Sequence, residues 1–374
     1  MRPAATERVL DVCERAPGYV RAIAPYQPGK PVSELAREMG LQEASIVKLA
    51  SNENPRGASP KAVAAMRIAI GETGRYPDGN AYALKDALAK RYGIAQDCIV
   101  LGNGSNDVLE MAARAFLSPS ASAVYSEHAF VVYSLATQAV GATGIVVRAR
   151  SFGHDLEAMT KAIRSDTRVV FVANPNNPTG TWLPPDEVQG FLGKVPAEVL
   201  VVLDEAYNEY LDPELRSNAV AWGNEFPNLV VTRTFSKAYG LAGLRVGYGF
   251  SHPKVIDLMN RVRQPFNVSD IAQVGATAAL FDDEFVQQST LLNQQGMKTL
   301  TEAFTNLGLS WIPSHGNFVC VKVGKAAEVF QRLLKQGVIV RPVAAYGMPE
   351  YLRVSIGTES ENDRFLAALQ VSMR

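Results

Sequence analysis

The sequence predicts an α/β protein, with a large domain built on a mostly parallel central sheet sandwiched by helices and a smaller α+β domain after it. Three observations carry that expectation. Short runs of β-favouring residues recur through residues 98–248, with helical segments between most of them. The runs are continuously apolar rather than alternating, as expected for strands covered on both faces. After "GYGFSHPKV" the alternation stops and longer helical stretches take over. At 374 residues, two domains are the natural expectation.

In chain order, residues 1–45 read as an arm: a short helical piece, the turn-rich "APYQPGKP", and a helix over 32–38. "IVKLASNENPRG" is a short strand entering a polar loop. Strand runs follow at 98–101, 123–125, 145–147, 169–172, 199–203, 229–231 and 245–248. The segment 105–116 places Val108, Leu109, Met111, Ala112, Ala115 and Phe116 on one helical face. This βαβ rhythm is that of a parallel sheet. Helical stretches then cover 253–281 and 283–307, before "GNFVCVKV", a helix over 326–336, "VIVRPV", "YLRVSIG" and a last helix. The expected division is an arm (1–45), a large domain (46–265) and a small domain (266–374).

Composition narrows the function. Thirty-seven basic and 37 acidic residues leave no net field to attract nucleic acid or an anionic membrane. Cys13, Cys98 and Cys320 are scattered and odd in number, so they form no disulfide framework and read as small buried hydrophobes. The four histidines show no ligand spacing, and no metal site is expected. The N-terminus lacks an apolar signal region, and no apolar run is long enough to span a bilayer. A reducing cytoplasm is expected.

In open α/β sheets, ligands sit at the carboxyl ends of strands. Four stretches stand there. "VLGNGSND" passes from a strand through two glycines into a helix start near Ser105, a place for a phosphate. Asp107 stands where a dinucleotide fingerprint needs its last glycine, and alone the stretch also fits an ordinary capped helix. "VANPNNPTG" crowds Asn174, Asn176 and Asn177 at a strand end, in what is also simply a loop. "VLVVLDEAYNEY" ends five apolar residues in Asp204, with Tyr207 three residues on. That carboxylate is either a helix cap or a buried acid that needs a partner. "TRTFSKAYGLAGLRVGYG" sets Ser236, Lys237 and Arg245 after another strand. A lysine there either keeps its head in water or forms a Schiff base with an aldehyde. Together the four stretches supply the parts needed for pyridoxal 5′-phosphate (PLP): an amine, a carboxylate for a ring nitrogen, polar groups for a ring oxygen, and a phosphate cradle. Near the C-terminus, "YLRVSIG" points Arg353 away from Leu352 and Val354, as a planar fork for an anion or as a surface ion pair.

The order of "PYQPGKP", "LASNENPRG", "RYPDG", "GNGSND", "NPNNPTG", "LDEAYNEY", "TFSKAYGLAGLRVGYG" and "YLRVSIGT" resembles the fold type I PLP-dependent aminotransferases, and within them the histidinol-phosphate aminotransferase family. The resemblance covers nearly the whole chain. It implies that Lys237 carries the cofactor as a Schiff base and that Asp204 pairs with the pyridine nitrogen. Asn177 and Tyr207 would bond the ring oxygen. Ser236, Arg245 and the amides near Ser105 and Asn106 would hold the phosphate, and Phe130 would stack on the ring. Tyr76 would reach the cofactor phosphate of the other subunit of a homodimer with shared active sites. The arm would pack with the small domain and the partner. Tyr26, Asn54, Arg341 and Arg353 would bind substrate.

The implied reaction is ping-pong transamination between a small-molecule amino donor and a 2-oxo acid. Desolvation and a neighbouring cation such as Arg245 would lower the Lys237 pKa, freeing a neutral amine to act as base. Histidinol phosphate with 2-oxoglutarate is the leading substrate pair. Aromatic amino acids would satisfy the same arginines and remain the alternative, with a phosphothreonine decarboxylase third. A non-catalytic PLP-binding half of a transcription regulator would need a DNA-binding domain, for which residues 1–45 are too short and too rich in Pro and Gly.

Overall fold

The computed structural model describes residues 11–374. The first ten residues of the expected arm lie outside the described residues. The strands are β1 Val47–Lys48, β2 Ile99–Asn103, β3 Ser122–Ser126, β4 Thr143–Val147, β5 Thr167–Ala173, β6 Leu200–Asp204, β7 Leu229–Thr234, β8 Val246–Phe250, β9 Trp311–Ile312, β10 Phe318–Lys322, β11 Val338–Ile339, β12 Arg341–Pro342 and β13 Tyr351–Ser355. Strands expected at 98–248 all form, each within three residues of the expected limits.

Seven of them make the central sheet, in the order β2-β8-β7-β6-β5-β3-β4. From β4 across to β7 every pairing is parallel. β8 runs antiparallel to both neighbours, β7 and β2. That reversal has a positional consequence. Asn103 at the end of β2 pairs with Val246 at the start of β8, and Thr234 at the end of β7 pairs with Gly247. The residue that leads into β8, Arg245, therefore shares one sheet edge with the carboxyl ends of β2, β5, β6 and β7.

Alternation along the strands sends side chains to two cores. Leu101, Val172, Val201, Leu203 and Val231 face one. Val100, Phe171, Ala173, Val202 and Val230 face the other. β4 is the exception to two-sided cover: it is one of the two edge strands, and Val146 is 58% exposed.

The small domain pairs β12-β13-β10-β9 as an antiparallel sheet, and β1 with β11 as a parallel ribbon. Leu49 packs in the core of this domain with Val319, Val354 and Phe365. The chain at 47–49 therefore belongs by packing with the small domain, although it was expected to open the large one. The expected long helix over 253–281 is two helices, Pro253–Val262 and Asp270–Leu280. Pro265 disfavours helical backbone in the residue before it, and Ser269 caps the second helix through the Ala272 amide. That second helix lies beyond the expected 265/266 divide, yet it buries Ala272, Ala276 and Ala279 in the core of the large domain. Of the three cysteines only Cys320 is buried. Cys13 is exposed, contrary to the expectation from sequence, because the segment that carries it packs into no core.

One ion pair is locked between β6 and β7. Arg233 Nη2 and Nε donate to Glu205 Oε2 at 2.7 and 3.0 Å, and both residues are buried. Arg233→Ala leaves Glu205 uncompensated, which costs about 3–5 kcal/mol for such pairs. We expect a clear drop in the thermal unfolding midpoint. Arg261→Ala, which removes an exposed pair with Asp257, should leave the midpoint nearly unchanged.

Candidate active site

The shared sheet edge borders a cavity of about 190 Å³. At one end the helix Ser105–Phe116 begins directly after β2. Its N-cap is Gly104, which offers no side-chain cap. The first amides of a helix have no carbonyl one turn back, and Ser105 and Asn106 line the cavity. Arg245 lies across this helix start. Its Nη1 donates to Ser236 Oγ at 3.2 Å and to Ala242 O at 3.1 Å. Gly104 has a φ of 76°, and a Cβ there would fall 2.3 Å from Arg245 Nη2. A Cβ on Gly247 would fall 2.3 Å from the Ser105 amide. Glycine at both positions lets the strand, the arginine and the helix start close into one cradle with cationic and N–H character, suited to a phosphate.

Asp204 closes the middle. It ends β6 and is 5% exposed. Tyr133 Oη donates to Oδ2 at 2.8 Å; Thr232 Oγ1 and the Ala206 amide each donate to Oδ1 at 3.2 Å. All three partners are neutral. Burial pushes the carboxyl above its ordinary pKa, against the pull of those donors. A buried carboxylate without a cation gains most from a protonated nitrogen brought into the cavity. Phe130 lines the same space, edge-on to Tyr133 with ring centroids 5.9 Å apart.

Lys237 reaches in from the turn after β7. It is half-buried, and its Nζ donates to Ser51 O at 3.1 Å. Desolvation first, and the Arg353 cation second, lower its pKa to about 7. Arg245, the cation expected from sequence, has a smaller effect in the same direction. The Lys237 ammonium also lies 5.7 Å from the Tyr207 ring centre.

Arg353 sits at the far wall, 6% exposed, so it is no surface ion pair. Its Nη1 donates to Asn177 Oδ1 at 2.6 Å and its Nη2 to Ala50 O at 2.8 Å, while Nε has no partner. Arg341 and Tyr26 stand together at the mouth, the guanidinium 5.7 Å from the ring centre. Four consecutive carbonyls tie the 49–52 segment down: Leu49 to the Ser355 amide, Ala50 to Arg353, Ser51 to Lys237 and Asn52 to Asn317 Nδ2.

Two expected residues lie elsewhere. Asn54 does not line the cavity, and this corrects its placement as a substrate ligand. Its amide is spent on Ala238 O at 2.8 Å and Ser289 Oγ at 2.9 Å, bracing the turn next to Lys237. Tyr76 is 83% exposed, stacked on Phe266, and outside this cavity. Conversely, Asn52, Tyr133, Thr232 and Tyr346 went unrecognised in the sequence. The first two bond directly to Tyr207 and Asp204.

An anion cradle, a neutral ring wall with a buried carboxylate, and an amine near neutrality fit a phosphorylated pyridine aldehyde. In protein freed of carbonyl compounds, the acylation rate of Lys237 should rise through a midpoint near pH 7, read by peptide mass spectrometry. Arg353→Met should move that midpoint up, because a cation that disfavours the ammonium is gone. Between pH of about 7 and 10.5 the unfolded chain holds this proton and the folded chain does not, so stability from this group rises with pH across that window.

Comparison with known proteins agrees with this geometry. Residues 44–369 match the model of the family "Aminotransferase class I and II". A histidinol-phosphate aminotransferase of Methylobacillus flagellatus is 64% identical, over 95% of this chain and 96% of its own length. Histidinol-phosphate aminotransferase 2 of Nitrosospira multiformis is 60% identical, over 97% of this chain and 93% of its own length. The crystal structure of histidinol-phosphate aminotransferase from Sinorhizobium meliloti, in complex with pyridoxal-5′-phosphate, superposes with a TM-score of 0.89 at 30% identity, over 96% of this chain and 98% of that one. A match across nearly the full length, with the fold and the strand-edge cavity in place, makes this chain a member of the class I and II aminotransferase family.

Proposed function

We propose that this protein is a PLP-dependent aminotransferase that moves the amino group of histidinol phosphate to 2-oxoglutarate. The observation that carries the reading is the pairing of Lys237 and Asp204 on the walls of one small cavity with an anion cradle at its end. The names of its relatives, and the PLP bound by the Sinorhizobium meliloti protein, support it.

When bound, PLP supplies an electrophilic aldehyde and a pyridine ring that accepts electrons. The chain's own residues do the rest. Ser105, Asn106, Ser236 and Arg245 hold the phosphate. Phe130 covers the ring face. Asp204 would keep a proton on the ring nitrogen, a cation that would in turn compensate its buried charge. Asn177 and Tyr207 bond the ring oxygen. Lys237, its pKa lowered to about 7, would hold the aldehyde carbon of the cofactor and, once the donor's own amine has displaced it, would serve as the neutral base for the proton on the substrate Cα. Arg353 receives the anionic end of donor or acceptor with the N–H groups it does not spend on Asn177 and Ala50. Arg341 and Tyr26 extend that anion site toward the mouth.

Tyr76, exposed and outside its own subunit's cavity, suits a role across a homodimer interface. The domain reading proposed here keeps an arm, a large and a small domain, with the divide moved to the start of the helix Asp283–Asn306. Among the described residues no helix is long and apolar enough to cross a membrane. A cytoplasmic location belongs to this proposal as the setting of such an enzyme.

Single-turnover half-reactions of the PLP form test the reading. Histidinol phosphate should give a higher kcat/KM than phenylalanine, tyrosine or glutamate. A faster reaction with phenylalanine would contradict the substrate assignment while leaving the reaction class. Arg353→Ala should lower kcat/KM for amino donor and keto acid alike, by about ten- to a hundredfold, the effect of losing a hydrogen bond to a charged group. Damage confined to one half-reaction would contradict the shared use of Arg353.

A further inference from the structure

Asn52 lies in the loop after β1, 1% exposed, with a left-handed backbone at φ 55°. A chain of hydrogen bonds runs from its backbone through Ser355 and its own side chain to Tyr207. The chain starts at a group that has no choice of role. The Asn52 backbone N–H can only donate, and it donates to Ser355 Oγ at 2.8 Å. Ser355 Oγ is thus an acceptor on that side and sends its own hydrogen to Asn52 Oδ1, 3.0 Å away. In this arrangement the amide turns its oxygen toward Ser355. The other end, Nδ2, is the NH₂ group, and it donates to Tyr207 Oη at 2.9 Å. Tyr207 therefore accepts from Asn52 and keeps its own hydrogen for another partner. Among the described residues none accepts it, and Tyr207 lines the cavity. Burial holds the phenol at a pKa of about 12, so the hydrogen is present at neutral pH.

We propose that Asn52 is a positioning residue that makes Tyr207 an obligatory hydrogen-bond donor into the cavity, so that the site selects a bound ring carrying an acceptor oxygen. The inference rests on the functional reading above, in which that oxygen belongs to PLP. It also accounts for the strained backbone: asparagine tolerates the left-handed region better than most side chains. The position needs one side chain with an acceptor for Ser355 and a donor for Tyr207, and the asparagine amide provides both.

Asn52→Asp tests this. The aspartate keeps size, backbone tolerance and the acceptor for Ser355, but it turns the donor toward Tyr207 into a second acceptor. Tyr207 then gives its hydrogen to residue 52 rather than to the cavity. The readout is the dissociation constant of PLP for the apo protein, by absorbance titration, with the pH midpoint of the visible band as a second signal. Asn52→Asp should weaken PLP by about tenfold, the size of one lost hydrogen bond. Tyr207→Phe should weaken it by a similar factor, and the double variant should bind like Tyr207→Phe alone. Wild-type affinity and pH midpoint in Asn52→Asp would overturn the inference. So would a loss that persists undiminished in the Tyr207→Phe background, since it would then come from charge or shape without Tyr207. Should Asn52→Asp fail to fold by circular dichroism, Asn52→Gly enters the same cycle, because glycine takes the left-handed backbone and simply removes the amide. Its loss should likewise vanish with Tyr207→Phe, and an additive loss would overturn the inference. A wild-type protein that takes up no PLP at all would instead overturn the functional reading.

Discussion

The carboxylate of Asp204 is taken out of water at the end of an apolar strand with only neutral donors around it. Such a group is tolerable in two ways: it takes a proton, or a cation arrives. Its neighbourhood is built for the second. Tyr133, Thr232 and the Ala206 amide pin its two oxygens, and the cavity in front of it has room for a flat ring. Across that space stands Lys237, disfavoured as an ammonium by the same desolvation and by Arg353. One desolvating cavity thus acts on two groups in opposite senses: it makes the acid want a positive partner and makes the base give its proton up.

The sheet topology is what lets so few residues meet. Parallel strands β5, β6 and β7 deliver Asn177, Asp204 and Ser236–Lys237 to one edge, because each loop leaves from a carboxyl end. A parallel β8 would have put its leading residue at the opposite edge. Its antiparallel course brings Arg245 back beside the start of the helix Ser105–Phe116. The small domain contributes the last wall through β13, whose Arg353 and Ser355 face inward while Leu352 and Val354 fill the domain's own core. The 49–52 segment runs between the two, every carbonyl engaged, and couples the placement of Lys237 to that of Arg353.

What was legible in the sequence follows from what leaves a local trace. Asp204 ends an unbroken apolar run, where a charged residue is conspicuous, Lys237 follows a strand and is flanked by Phe235, Ala238 and Tyr239, and the glycines around Ser105 mark a close approach. Tyr133 left no such trace: its place on an amphipathic helix is that of an ordinary core residue, and only the fold brings it to Asp204, 71 residues away. Asn52 was hidden for the same reason, since Tyr207 and Ser355 lie 155 and 303 residues from it. The loop "SNENP" did point to the site, but the sequence did not distinguish its two asparagines. The left-handed turn at Asn52 sends that side chain to Tyr207 and leaves Asn54 facing Ala238 and Ser289.

The account stands most directly on a covalent bond at one position. Protein purified with its cofactor should be yellow; treatment with borohydride should fix a single PLP group per chain, and peptide mapping should find it on Lys237. A label on another lysine, or a protein that binds PLP without any covalent attachment, would contradict the assignment of Lys237 and with it the pairing to Asp204.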